Sequence, residues 1–126
     1  MKSFLLVFLG GGFGSGLRFL LSNSMSNYEK IIPIGTFTVN MLGCLMIGFI
    51  LGCAQKEINI SSNYTLLLAS GFCGGFTTFS AFANENFNLI KSGELLNFSV
   101  YIILSVVVGI LFVSLGYFIA DKFNFV

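Results

Sequence analysis

Leu66-Leu-Leu-Ala-Ser-Gly71-Phe-Cys-Gly74-Gly75-Phe76-Thr77-Thr78-Phe79-Ser80-Ala-Phe82-Ala-Asn84-Glu85-Asn86-Phe-Asn88 is the stretch that decides how this chain folds. Its first half is apolar enough for lipid, whereas its middle crowds glycine and hydroxyl residues into a few positions. Gly74-Gly75 lowers helix propensity near the centre of a membrane-length window. Unwound backbone at that depth survives only inside protein or beside a water-filled path. The stretch therefore predicts a transmembrane helix broken near 74–78, with carbonyl oxygens released at the break. Such oxygens are hard ligands suited to an alkali cation. A plain packing kink is the alternative.

Working outward, the rest of the chain has the same solvent. Apolar residues make up 56% of it and charged residues only 9%, against about 25% charged in a soluble domain. Three further windows reach the roughly 20 residues a span needs. The expected spans are about 4–21, 34–53, 64–90 and 98–120, in one four-helix domain covering 1–126. Charges gather in the connections, at Glu29, Lys30, Lys56, Glu57, Lys91 and Glu94, and in the tail at Asp121 and Lys122. Pro33 stands where it can open the second helix without losing a hydrogen bond. The opening apolar run passes through Gly10-Gly11-Gly12 and Arg18 with no convincing cleavage site, and reads as a permanent span.

Gly10/Gly14 and Gly12/Gly16 in the first span, and Gly48/Gly52 in the second, have the GxxxG spacing that lets helix backbones approach in a membrane. Neither phosphate-loop pattern is present. Four spans put both termini on one side, with Lys2, Lys56 and Lys122 there. Lys30 and Lys91 lie on the other, joined by Arg18 if it snorkels outward. So little bias permits insertion in both orientations, and an antiparallel homodimer is the assembly that suits it.

Polar residues inside the spans mark the candidate path. Thr36, Asn40 and Cys44 recur every fourth residue on the second helix, and Tyr101 and Ser105 do so on the fourth. Phe76, Phe79 and Phe82 lie near one face of the second half of the third helix, which otherwise carries Thr77, Thr78, Ser80, Asn84, Glu85, Asn86 and Asn88. A ring edge is the positive part of the aromatic quadrupole and can face an anion. The net charge of +1 points to no nucleic-acid partner. There is no histidine, and no Ser/His/Asp set, metal cluster or cofactor motif, so an enzyme is not expected. Cys44, Cys53 and Cys73 read as packing residues.

Together, Gly11-Gly12-Phe-Gly14-Ser-Gly16-Leu-Arg18, Pro33-Ile-Gly35-Thr36-Phe-Thr-Val-Asn40-Met-Leu-Gly43 and Gly71-Phe-Cys-Gly74-Gly75-Phe76-Thr77-Thr78-Phe79-Ser80-Ala81-Phe82 resemble the Fluc (CrcB) family of fluoride channels, in order and spacing. Ala81, where many members have Thr, and Ala83-Asn84 depart from the pattern. The resemblance implies a passive fluoride channel of the cell (inner) membrane that confers fluoride resistance, built as a dual-topology homodimer with two pores. It implies a structural sodium ion on the Gly74 and Thr77 carbonyls. It also implies a pore lined by Asn40, Phe79 and Phe82, with Thr36, Ser80, Tyr101 and Ser105 supplying hydroxyls. The competing class, a small dual-topology multidrug transporter, needs a carboxylate in the first helix; this chain has Arg18 there instead.

Overall fold

The computed structural model describes residues 1–25, 32–56 and 62–123, and among these every regular element is helical. Helix α1 spans Lys2–Met25 and α2 spans Ile34–Gln55. The third span begins with α3, Ser62–Thr65, widens into a π-helical segment, Leu66–Cys73, and returns to α geometry in α4, Gly74–Phe76. After a break, α5 covers Phe79–Lys91, and α6 covers Leu95–Lys122. Four helical stretches are long and apolar enough to cross a membrane: Lys2–Met25, Ile34–Gln55, Ser62–Lys91 and Leu95–Lys122. The helices run past the apolar windows at their ends because backbone hydrogen bonding continues into the polar interface. Glu29 and Lys30 of the first connection and Glu57 of the second lie outside the described residues.

Local chemistry sets the ends. Pro33 precedes α2, and its carbonyl accepts from the Phe37 N–H at 3.1 Å. At the end of α5, Gly93 has φ 80° and the Glu94 N–H returns to the Leu89 carbonyl at 2.9 Å, a glycine-dependent helix stop.

Glycine determines which helices touch. α2 packs along α6, where Gly48 lies on the Val113 backbone, Gly116 on the backbone of Leu45 and Phe49, and Gly52 on Tyr117 and Ala120. α1 packs along the π segment and α4: Gly10 lies on Leu67 and Phe72, Gly14 on Phe72 and Phe76, and Gly75 on Gly11. Of the two GxxxG pairs in α1, Gly10/Gly14 makes the close approach. A Cβ on Gly12 or Gly16 would meet nothing. The core is small, with Tyr101, Phe76, Val39 and Cys73 its largest fully buried side chains. Phe4, Phe8, Phe13, Phe19, Ile103 and Ile110 point outward, as in a protein whose solvent is hydrocarbon.

Candidate functional site

The site is organised by the break in the third span. Thr77 (φ −79°, ψ 157°) and Thr78 (φ −146°, ψ 113°) are extended, so helix stops at Phe76 and restarts at Phe79. The break follows the glycine pair rather than falling on it. Gly74 and Gly75 stay helical, and the missing Cβ of Gly75 admits the Gly11 backbone, whose Cα lies 2.8 Å from where that Cβ would be. Two side chains then hold the break open. The Thr78 hydroxyl caps α5 by accepting from the Ala81 N–H at 3.2 Å. The Asn40 amide bridges Thr78 in both directions: the Thr78 N–H donates to Oδ1 at 2.8 Å, and Nδ2 donates to the Thr78 carbonyl at 3.2 Å. This two-way pattern sets the amide's orientation, since a flip would face oxygen to oxygen. One Nδ2 hydrogen is spent here, leaving the second for another acceptor.

These bonds redistribute the carbonyls. In an unbroken helix, the Thr78 and Ala81 N–H groups would bond the Gly74 and Thr77 carbonyls. Here both donors go to side chains, to Asn40 and to the Thr78 hydroxyl. Gly74 is exposed and Thr77 half-buried, and both line one cavity, so these are the carbonyls that would hold a monovalent cation. A divalent ion would lack compensating charge, because neutral carbonyls supply none.

That cavity holds about 500 Å³ and is open on one side. It brings together Asn40, Cys44, Gly74, Thr77, Thr78, Phe79, Phe82 and Ser105, all singled out in the sequence, and adds Ser70. The Phe79 ring is 80% exposed, which is not the position of a core residue. It stands 6.0 Å from the Phe82 ring, and Phe82 meets Tyr101 edge-on at 5.1 Å. Ser80 lies outside the cavity wall, exposed, with its hydroxyl 3.3 Å from that of Thr78.

Thr36 and Tyr101 belong to a second cluster. Both donate to one carboxylate, Thr36 Oγ1 to Glu85 Oε1 at 2.5 Å and the Tyr101 hydroxyl to Glu85 Oε2 at 2.8 Å. Thr36 and Tyr101 are buried and Glu85 half-buried. The Phe82–Tyr101 ring contact joins this cluster to the cavity. Glu85 was visible in the sequence as a charge within a span, but its partners lie 49 and 16 residues away, beyond any periodicity. Arg18 was likewise visible without a partner. Its Nε donates to the Gly75 carbonyl at 3.1 Å, and Ser15 Oγ donates to the same oxygen at 3.3 Å.

A family model described as CrcB-like protein, Camphor Resistance (CrcB), matches residues 5–117. The chain belongs to the CrcB family. Among CrcB relatives, a protein named fluoride-specific ion channel FluC from Phocaeicola vulgatus is 50% identical, over 96% of this chain and 100% of its own length. Proteins of the same name from Azobacteroides pseudotrichonymphae and Flavobacterium psychrophilum are 40% and 41% identical, over 98% and 97% of this chain and 99% of each relative. The matched residues 5–117 take in the second and third membrane-spanning stretches of this CrcB chain whole, with the break at Thr77–Thr78, and most of the first and fourth.

Proposed function

We propose that this chain is a fluoride-selective passive channel, not an enzyme, acting in the cell (inner) membrane as an antiparallel homodimer with two pores and relieving fluoride toxicity. Full-length identity of up to 50% to proteins named fluoride-specific channels carries the substrate. The exposed Phe79 ring beside Asn40 and Ser105, in a cavity that one copy leaves open, carries the placement of the path.

Fluoride is small and strongly hydrated, so donors must replace its water without binding it too tightly to leave. The second Nδ2 hydrogen of Asn40, the Ser105 hydroxyl and the edges of Phe79 and Phe82 are donors of that kind in the cavity, with the Ser80 hydroxyl outside its wall. None carries a fixed positive charge. Thr36 and Tyr101 join this track only by releasing Glu85, since each has a single hydroxyl proton. The Gly74 and Thr77 carbonyls would hold a structural sodium ion, which supplies positive charge at the break and is not itself transported.

Two features support the dimer. The cavity is open at the surface of one copy, where a second could close it. The lysines divide three against two between the two sides, a difference of a single charge. The multidrug-transporter alternative is disfavoured because α1 carries no carboxylate; its charges are Lys2 at the start and Arg18, whose Nε donates to a carbonyl.

The test is efflux from liposomes loaded with fluoride or chloride and containing the purified protein. Passive fluoride efflux, with chloride retained, is the expected result. Equal release of both halides, or none of fluoride, would overturn the reading.

A further inference from the structure

Arg18 is the only arginine in the chain and lies well inside α1, where an unpaired charge is expensive. The ion pair observed among the described residues joins Lys56 to Asp121, at the other end of a different helix pair. What faces the Arg18 guanidinium is a backbone oxygen, the Gly75 carbonyl, which it shares with Ser15. Gly11, Ser15 and Arg18 follow one another at four- and three-residue steps on α1, and all three address Gly75. Gly11 accepts its backbone at close range, while Ser15 and Arg18 bond its oxygen.

This oxygen is an orphan of the break. Its helical donor would be the Phe79 N–H, which lies beyond the extended Thr77–Thr78 pair. Left alone, it would be one more carbonyl competing to face whatever occupies the break. Two donors, one of them cationic, take it out of that competition. Asn40 does the same for the Thr78 carbonyl from the other side.

We propose that Arg18, assisted by Ser15, is a positioning residue that ties the Gly75 carbonyl to α1 and so restricts the cation-facing oxygens of the break to Gly74 and Thr77. The inference rests on the reading that a monovalent cation sits there. Its experiment separates the two ideas by using two readouts on the full-length protein in detergent, in wild type, Arg18→Met, Arg18→Lys and Ser15→Ala. The first readout is the sodium concentration that half-maximally raises the melting temperature. The second is backbone hydrogen exchange across residues 76–81, with and without sodium.

Arg18→Met is expected to raise the sodium midpoint about tenfold, the weak end of what one charge-assisted hydrogen bond is worth. It should also speed exchange across 76–81 in both conditions. Arg18→Lys keeps the charge but not the planar donor, and should recover only part of each effect; Ser15→Ala should show the smallest shift. If wild type has no sodium-dependent stabilisation but Arg18→Met still speeds exchange, the tie stands and the cation reading falls. If sodium midpoint and exchange are both unchanged in Arg18→Met, whatever happens to folded yield, the tie is overturned. Full recovery by Arg18→Lys would overturn it in favour of charge alone.

Discussion

Two pairs of helices in this molecule meet through glycine. Where α2 crosses α6, Gly48, Gly52 and Gly116 bring the backbones together, and the seam closes at its end with Lys56 paired to Asp121 at 2.8 Å. Where α1 crosses the third span, Gly10, Gly14 and Gly75 bring the backbones just as close, but there the approach delivers Ser15 and Arg18 to a carbonyl at a helix break. The first seam consists mainly of packed backbone and side chains. The second also determines which backbone oxygens remain available. Close packing in a membrane has no hydrophobic drive between helices, so the same glycine device serves stability in one place and geometry in the other.

The largest effects should come from filling one glycine in each seam. A Cβ on Gly116 would meet the Phe49 nitrogen at 2.6 Å; a Cβ on Gly75 would meet the Gly11 Cα at 2.8 Å. Backbone cannot swing aside as a side-chain tip can, so Gly116→Ala and Gly75→Ala should each cost about 1–3 kcal/mol, as overpacking does. The difference should appear in function. Melting of the detergent-solubilised protein is expected to fall in both variants, whereas fluoride efflux per folded molecule should fall only in Gly75→Ala. Equal loss of per-molecule efflux would erase the distinction between the seams.

Next in size is Asn40→Ala, which removes both bonds to Thr78 and leaves the Thr78 N–H without its partner in a part-buried place. An orphaned buried donor costs about 1–3 kcal/mol. Because the amide holds the break, the expected outcome is a loss of efflux out of proportion to the loss of folded protein. Cys44→Ala, one turn farther along the same cavity wall, is the control and should leave efflux near wild type. If the two variants lose the same fraction of efflux per folded molecule, Asn40 is a wall residue and not a clamp.

How far the sequence reveals this arrangement depends on distance along the chain. Long apolar windows announce four spans because lipid thickness sets helix length, and Pro33 marks the start of α2. The polar middle of the third span is equally plain. The break falls at Thr77–Thr78, inside the window 74–78 that the sequence predicts; which residues of that window unwind is not plain, because propensity points to Gly74-Gly75 while tertiary contacts decide. The glycines stay helical against α1, and Thr78 turns outward onto Asn40, 38 residues away. The π segment Leu66–Cys73 leaves no mark either, since its apolar residues would suit an ordinary helix. Nothing local joins Glu85 to Thr36 and Tyr101; only the packing of α5 against α2 and α6 does.

The smallest expected effect is the most discriminating for the glycines of α1. Gly10/Gly14 and Gly12/Gly16 have identical spacing, and sequence alone treats them alike. A Cβ on Gly14 would meet the Phe76 nitrogen at 2.8 Å, whereas one on Gly12 meets nothing within 4 Å. Alanine also favours a helix interior over glycine by about 0.8–1.0 kcal/mol. In a lone subunit, then, Gly12→Ala should be neutral or slightly stabilising, and Gly14→Ala destabilising. Phe8, Leu9, Phe13, Leu17 and Leu20 surround Gly12 and Gly16 on an outward apolar face. If that face meets only lipid, Gly12→Ala leaves both melting and dimer mass unchanged in mild detergent. A clear loss of dimer with intact subunit helicity would instead place a second helix against it, and the Gly12/Gly16 pair would join the close-packed seams.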